Sequence, residues 1–404
     1  MKKFLQVGLG IVTSVGGFLE IGSITTAAQA GAGFGYQLVW SIALGTVCIA
    51  FLVEMSGRFA ACSKRTIPDA MRERFGANFF AVLLLVMLGV SLLVLGAEIG
   101  GAAAAVELAT GIALPVWVIP VAVVSWLLLW RATFGVIENG VSMLGLVTIV
   151  FAVAAVKAHP SYAQIGAGML PTLPHGDAAK YWFTAVSVLG ASISPYLYYF
   201  YSSGAIEDKW DASYLGANRG IAALGMGFGG FLSLAVLVLA AVLFHPIGKD
   251  VQDYHDLTQL VTPLLGRTGF WLFVAALGIA CLGATLEIAL SLAYLVAQGF
   301  GWKWGEDLEP RDDARFSVTY TLLLVVGAIL PLIGVDPLKL TEISMALTAA
   351  SLPIGVLPFL ILMNDKEYLG KKTNGRIGNA VVLCISVMAL MLAVVSIPLE
   401  VLGS

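Results

Sequence analysis

Three glutamates stand inside stretches that are otherwise apolar: Glu20, Glu98 and Glu287. An ionisable side chain in hydrocarbon costs about 3 kcal/mol on insertion scales, so it marks a place where a cation is held or a proton is exchanged. Glu20 belongs to Glu20-Ile21-Gly22-Ser23, which breaks the first apolar stretch, and Ser194-Pro195-Tyr196 breaks a later one in the same way. In one reading Glu20 only caps the second half of a broken helix, accepting from its free amides. In the other it touches a substrate or coupling ion, with hydroxyls from Ser23 and Ser194 and carbonyls freed near Gly22 and Ala191 as further ligands. Glu98, beside Gly96, Gly100 and Gly101, is a candidate proton carrier on a closely packed helix. Glu287 follows Gly283, Ala284 and Thr285, which offer close approach and a hydroxyl, and is a second candidate for coupling. Glu54, Glu107, Glu138 and Glu342 lie nearer span ends and are expected to be interfacial or structural. The run from Tyr196 through Tyr199 to Tyr201 follows the second break directly and is expected to line a cavity.

Other chemistry finds little support. His159, His175, His245 and His255 all fall in polar connections, and no His-Glu-x-x-His pair, nucleophile motif or phosphate-binding glycine loop is present. Cys48, Cys62, Cys281 and Cys384 have unrelated spacings that suggest neither a disulfide framework nor a metal site. The chain is expected to be neither an enzyme nor the carrier of a cofactor.

The elements that must position these glutamates are membrane spans. With 404 residues, 59% hydrophobic, 12% charged and a mean hydropathy of +0.92, the chain is an integral membrane protein. Its partner is the lipid bilayer; a net charge of -3 without a basic run excludes nucleic acid as a partner. Apolar runs of about 20 residues number eleven, near 7–31, 36–60, 78–108, 113–130, 134–157, 182–206, 214–244, 268–298, 315–334, 338–363 and 377–401. The start resembles a signal peptide, but Glu20 and the apolar character beyond Ala30 argue for a retained span. With the N-terminus inside, 17 of the 22 Lys and Arg fall on the cytoplasmic side, which also places the C-terminus outside a cell membrane.

The second interrupted span comes five spans after the first, and an odd number of spans per repeat forces the second repeat to run upside down. The expected organisation is a first repeat at 1–157, an external loop at 158–181, an inverted second repeat at 182–363, and a loop with an eleventh helix at 364–404. Paired broken helices in such an architecture are the mark of a transporter with its substrate site at the breaks.

Several segments resemble one family. Gln29-Ala30-Gly31-Ala32 with Phe34-Gly35-Tyr36, Leu38 and Trp40 is similar to the stretch after the first break in the natural resistance-associated macrophage protein (NRAMP) family of divalent-metal transporters. Ala97-Glu98 with Gly101-Ala102-Ala103 looks like its third helix, and Leu352-Pro353-Ile354-Gly355-Val356-Leu357-Pro358 with Asp365-Lys366 and Gly370 like its tenth and the loop after it. The resemblance implies an all-α fold of the LeuT type, five plus five inverted spans with helices 1 and 6 broken, and proton-coupled metal import. The family's Asp-Pro-Gly-Asn stands here as Glu20-Ile21-Gly22-Ser23, and its Met-Pro-His-Asn as Ser194-Pro195-Tyr196-Leu197. A second helix 6 histidine corresponds to Tyr201, a helix 10 glutamine to Met345 and an aspartate before Glu98 to Leu95.

These replacements have a chemical direction. Exchange of a thioether for a hydroxyl disfavours soft transition ions, and Mg²⁺ prefers oxygen ligands while keeping several waters. The expected activity is alternating-access transport of a divalent cation, a hard ion before Fe²⁺ or Mn²⁺, with H⁺ or another coupling ion. A small organic solute, or a sensor that has kept the fold without transport, are the alternatives. Oligomeric state is not legible.

Overall fold

The computed structural model describes residues 20–131, 146–172, 177–305, 308 and 311–403, the side chains of 399–403 excepted. No strand occurs among them. In hydrocarbon each backbone N–H and C=O must be satisfied within its own segment, which leaves long apolar runs no choice but helix. The principal helices are α1 (Ile21–Phe34), α2 (Val39–Ser63), α3 (Ile67–Phe75), α4 (Ala77–Thr110), α5 (Leu114–Arg131), α6 (Ile149–Lys157) and α7 (Ala178–Ser192). They continue with α8 (Pro195–Glu207), α9 (Leu215–Leu243), α10 (Thr262–Phe300), α11 (Ala314–Leu332), α12 (Pro337–Asn364) and α13 (Arg376–Gly403).

Eight of these are long and apolar enough to cross a membrane, each matching one expected span. The other three spans appear as the late part of the first (α1), the end of the fifth (α6) and the divided sixth (α7 with α8). The beginning of the first span, the first half of the fifth, and with them Glu138, lie outside the described residues.

Steric chemistry explains the division between α7 and α8. A residue before proline is driven out of the helical region, and Ser194 is extended at φ -72, ψ 115. Ile193 departs too, at φ -124, ψ 66, while Pro195 opens α8 at a position where its missing N–H costs nothing. Glu20, at φ -111, ψ 176, likewise stands outside the helix that starts at Ile21.

Helix α1 runs through the centre, packed against α9, α7 and α12. Twelve of its 14 residues are buried, so it presents no solvent or lipid face; its Gly, Ala, Ser and Thr side chains let neighbouring backbones close in. The opposite pattern marks the periphery, where Val116 and Ile119 of α5, Leu322 and Val326 of α11 and Val394 of α13 are exposed to lipid.

Loop contacts sort to two ends as alternating spans require. At one end Arg58 donates to the Lys372 carbonyl (2.8 Å), Arg72 to the Gly299 carbonyl (3.3 Å), and Arg74 pairs with Asp365 (3.4 Å). At the other, Lys180 pairs with Asp250 (3.4 Å), Lys249 with Asp256 (2.8 Å), and His245 Nδ1 lies 3.0 Å from the Ala32 carbonyl.

Candidate functional site

The start of α1 and the break between α7 and α8 meet in the centre of the bundle. Glu20 is fully buried there. Its Oε1 accepts a hydrogen bond from Ser194 Oγ (3.1 Å), and its Oε2 one from the Tyr196 hydroxyl. Neither Glu20 nor Ser194 makes a side-chain cap to its own helix, because both are turned toward each other. The capping reading of Glu20 therefore does not describe this geometry.

A different carboxylate takes the capping role. Glu98 of α4, also fully buried, accepts from the Ile21 amide at 3.1 Å through Oε1 and at 3.4 Å through Oε2. The Gly22 amide and the Cys281 thiol are further hydrogen-bonding neighbours of Glu98. Two carboxyl groups thus sit at the positive end of the α1 dipole, which favours their charged forms. Glu287 of α10 lies in the neighbourhood of Glu20 and Tyr196. Among the described residues no ion pair reaches Glu20 or Glu98.

The breaks are stitched together by hydroxyls. Ser23 Oγ donates to the Ala191 carbonyl (3.3 Å), and Thr26 Oγ1 to the Gly22 carbonyl (2.7 Å). Both carbonyls expected to be free for a ligand are therefore engaged in this conformation, and a ligand must share or displace those bonds. Ser233 of α9 donates to the Ser23 carbonyl at 3.5 Å.

Met345 of α12 joins the site from the far side, because a glycine admits it. A methyl group added at Gly22 would stand 2.7 Å from Met345 Sδ, so the thioether occupies the space that the missing side chain leaves. Gly190 serves the same helix differently: its Cα faces the Met345 backbone carbonyl, whose carbon would lie 2.8 Å from an added methyl.

The tyrosine run is dispersed. Tyr196 alone reaches Glu20. Tyr199 directs its hydroxyl to Met71 Sδ of α3 (3.8 Å), and Tyr201 packs edge-on against Trp210 with its centroid 5.4 Å away. Tyr201 has a buried hydroxyl with no hydrogen-bond partner among the described residues.

A polar stripe on α10 lies beside α8. Ser291 Oγ donates to the Tyr196 carbonyl (2.9 Å), Tyr294 to Glu207 (3.0 Å), and Gln298 Nε2 to Ser203 Oγ (2.8 Å). With Glu287 these residues follow the spacing of one helical face, a signal visible in the sequence that attention to charged residues alone passes over. The contribution of Cys281, by contrast, has no sequence signature.

Chemically the site offers a carboxylate, two hydroxyls, a thioether and shared carbonyls. Among the described residues no three His, Cys, Asp or Glu side chains converge as a ready-made metal cage.

The family described as natural resistance-associated macrophage protein-like matches residues 10–398. Among solved structures, a manganese transporter of Eremococcus coleocola is 19% identical, with a TM-score of 0.76 over 97% of this chain and 85% of that one. The nucleobase-cation-symport-1 family transporter Mhp1, closed around bromovinylhydantoin, is 14% identical, with a TM-score of 0.59 over 96% of this chain and 91% of its own. MhsT in complex with L-phenylalanine is 13% identical, with a TM-score of 0.62 over 96% of this chain and 97% of its own. At such identities these likenesses establish the fold, one shared by transporters of different cargo.

Proposed function

The chain belongs to the natural resistance-associated macrophage protein-like family of membrane transporters, and on that premise we propose that it imports a divalent cation through the site at Glu20 by alternating access. A hard ion such as Mg²⁺ is favoured over Fe²⁺ or Mn²⁺. The observation that carries this reading is a fully buried carboxylate, without a basic partner among the described residues, held between hydroxyls of Ser194 and Tyr196. A buried charge without a counter-charge is costly, and an arriving cation supplies the missing charge. Oxygen donors suit Mg²⁺, which retains part of its water shell.

On this reading the first and sixth spans rock to expose the site alternately to each side, within two repeats, 1–157 and 182–363, that run in opposite directions. The end rich in basic residues faces the cytoplasm, by the preference of Lys and Arg for that side. Proton coupling runs through Glu98 and Glu287. Glu98 accepts from the first amide of α1, so a change in its charge is felt directly at the helix that carries Glu20.

A softer ion is the second reading. It is supported by Met345, whose thioether lies against Gly22, since sulfur selects polarisable metals. The Eremococcus coleocola protein is named for manganese, a transition ion more polarisable than Mg²⁺.

Uptake into proteoliposomes, with Mg²⁺, Mn²⁺ and a panel of small polar solutes in competition and with an imposed pH gradient, tests both. Mg²⁺ uptake that disappears in Glu20→Gln supports the leading reading, and Mn²⁺ uptake that disappears in Met345→Leu the second. Ion uptake unchanged by Glu20→Gln, or uptake of a solute with neither ion competing, overturns both.

A further inference from the structure

A cavity of about 700 Å³ lies away from Glu20, between α2, α9 and the segment 371–378. Its wall on α2 runs from Thr46 to Arg58 along one helical face, a length of roughly 18 Å at 1.5 Å per residue. Val47, Ala50 and Phe51 of α2 and Ala222 and Ala223 of α9 make that wall apolar, and Val47 is 44% exposed within a membrane span. The slot is therefore open to lipid.

Its far end is cationic. Of the charges there, Glu54 and Arg58 satisfy each other at 2.9 Å, and Arg58 is further spent on the Lys372 carbonyl and Asn374 Oδ1. Arg219 is only loosely drawn to Glu54, at 3.8 Å with its side chain 72% exposed. Lys371 and Lys372 are exposed and have no ion pair among the described residues. Three cations are thus left to face the mouth of an apolar slot about as long as one bilayer leaflet is thick.

We propose that this slot is a binding site for an anionic phospholipid of the leaflet at the basic end of the protein, its phosphate held by Arg219, Lys371 and Lys372 and an acyl chain lying along α2. A soluble phosphate fits the cations but leaves the apolar wall uncovered; a zwitterionic lipid fits the wall but brings no net charge to the cations. Basic pockets between membrane helices recognise acidic headgroups in this way. Arg58 acts as a staple holding the Lys372 backbone to α2 and thereby sets the cavity's shape.

The test uses the full chain, delipidated in a neutral detergent. Phosphatidylglycerol, phosphatidylcholine with the same chains, and inorganic phosphate are added in turn, with melting temperature and lipid retention by native mass spectrometry as readouts. The proposal expects stabilisation and retention by phosphatidylglycerol alone. It also expects a loss of affinity of roughly tenfold or more in Arg219→Gln/Lys371→Gln/Lys372→Gln, which leaves Arg58 untouched. Lys64→Gln/Arg65→Gln, which removes charge from the same end outside the slot, is expected to keep wild-type affinity. Equal stabilisation by phosphatidylcholine, protection by phosphate alone, an unaffected triple variant, or an equal loss in the control variant each overturns it.

Discussion

The carboxylate of Glu98 lies 3.1 Å from the amide nitrogen of Ile21, joining the middle of one membrane helix to the first turn of another 77 positions away. That bond frees Glu20 from capping its own helix, and Glu20 turns instead toward Ser194 and Tyr196. A division of labour between two buried carboxylates follows: one anchors the broken helix, the other faces the break opposite.

Glu98→Gln keeps a carbonyl that accepts from Ile21, and its melting temperature in detergent is expected to stay near that of the wild type. Glu98→Leu leaves a buried N–H without a partner, at a cost of about 1–3 kcal/mol. If uptake driven by a pH gradient is lost in Glu98→Gln while stability holds, the carboxylate acts through its proton; uptake at wild-type rate restricts it to anchoring.

Ser194→Ala and Tyr196→Phe each remove one hydroxyl from Glu20. Each is expected to raise KM for the transported ion by about 5- to 10-fold, equivalent to roughly 1–1.4 kcal/mol of binding. The double variant should fall short of the sum, because both hydroxyls serve one carboxylate. Radiotracer or fluorescence uptake against ion concentration measures this, and unchanged KM in both variants removes them from the binding site.

Gly22 and Gly190 approach the same methionine with different consequences. In Gly22→Ala the added methyl meets a flexible thioether, so a loss of about 1–2 kcal/mol is expected, relieved when combined with Met345→Ala. In Gly190→Ala the methyl meets the Met345 backbone, which has no rotamer to change. That variant is expected to lose about 3 kcal/mol or more, without rescue by Met345→Ala. Thermal denaturation of the two pairs checks the contrast.

Asp256, in the loop between α9 and α10, shows a pH dependence of definite sign. Partial burial raises its carboxyl, but the hydrogen bond from Lys249 and those from backbone amides outweigh it and hold the group below its ordinary value. A depressed carboxyl stabilises the fold above its unfolded pKa, near about 3.9, and that contribution is lost as pH falls through the folded value. Hydrogen exchange in 245–258, expressed relative to the intrinsic rate at each pH, should therefore stay slow at pH 5 and quicken only below about 4. In Lys249→Met it should quicken at a higher pH than in the wild type.

Much of the frame was legible because it rests on local physics. Apolar length prescribes spans, and the extended conformation of Ser194 follows from Pro195 beside it. The polar spacing of Glu287, Ser291, Tyr294 and Gln298 was also there to be read, since helical periodicity puts those positions on one face. The tyrosine run shows where such reasoning stops. Residues two apart on a helix point about 200° from one another, which turns Tyr201 away from Tyr199 and toward Trp210; Tyr196 and Tyr199, three apart, share a face but stand nearly a turn apart in depth, so that one meets Glu20 and the other Met71.

By itself the sequence determined a membrane protein with eleven apolar runs of spanning length, two of them interrupted, and glutamates too costly to be idle, because hydropathy, proline sterics and charge burial act over a few residues. Only the tertiary structure decided which glutamate caps and which faces the break, that Met345 fills the space beside Gly22, and that three cations gather at one lipid-facing slot. Ser194 reaches Glu20 across 174 positions, and no local rule selects a partner at that distance. Helix packing does so, by fixing which faces meet and at what depth.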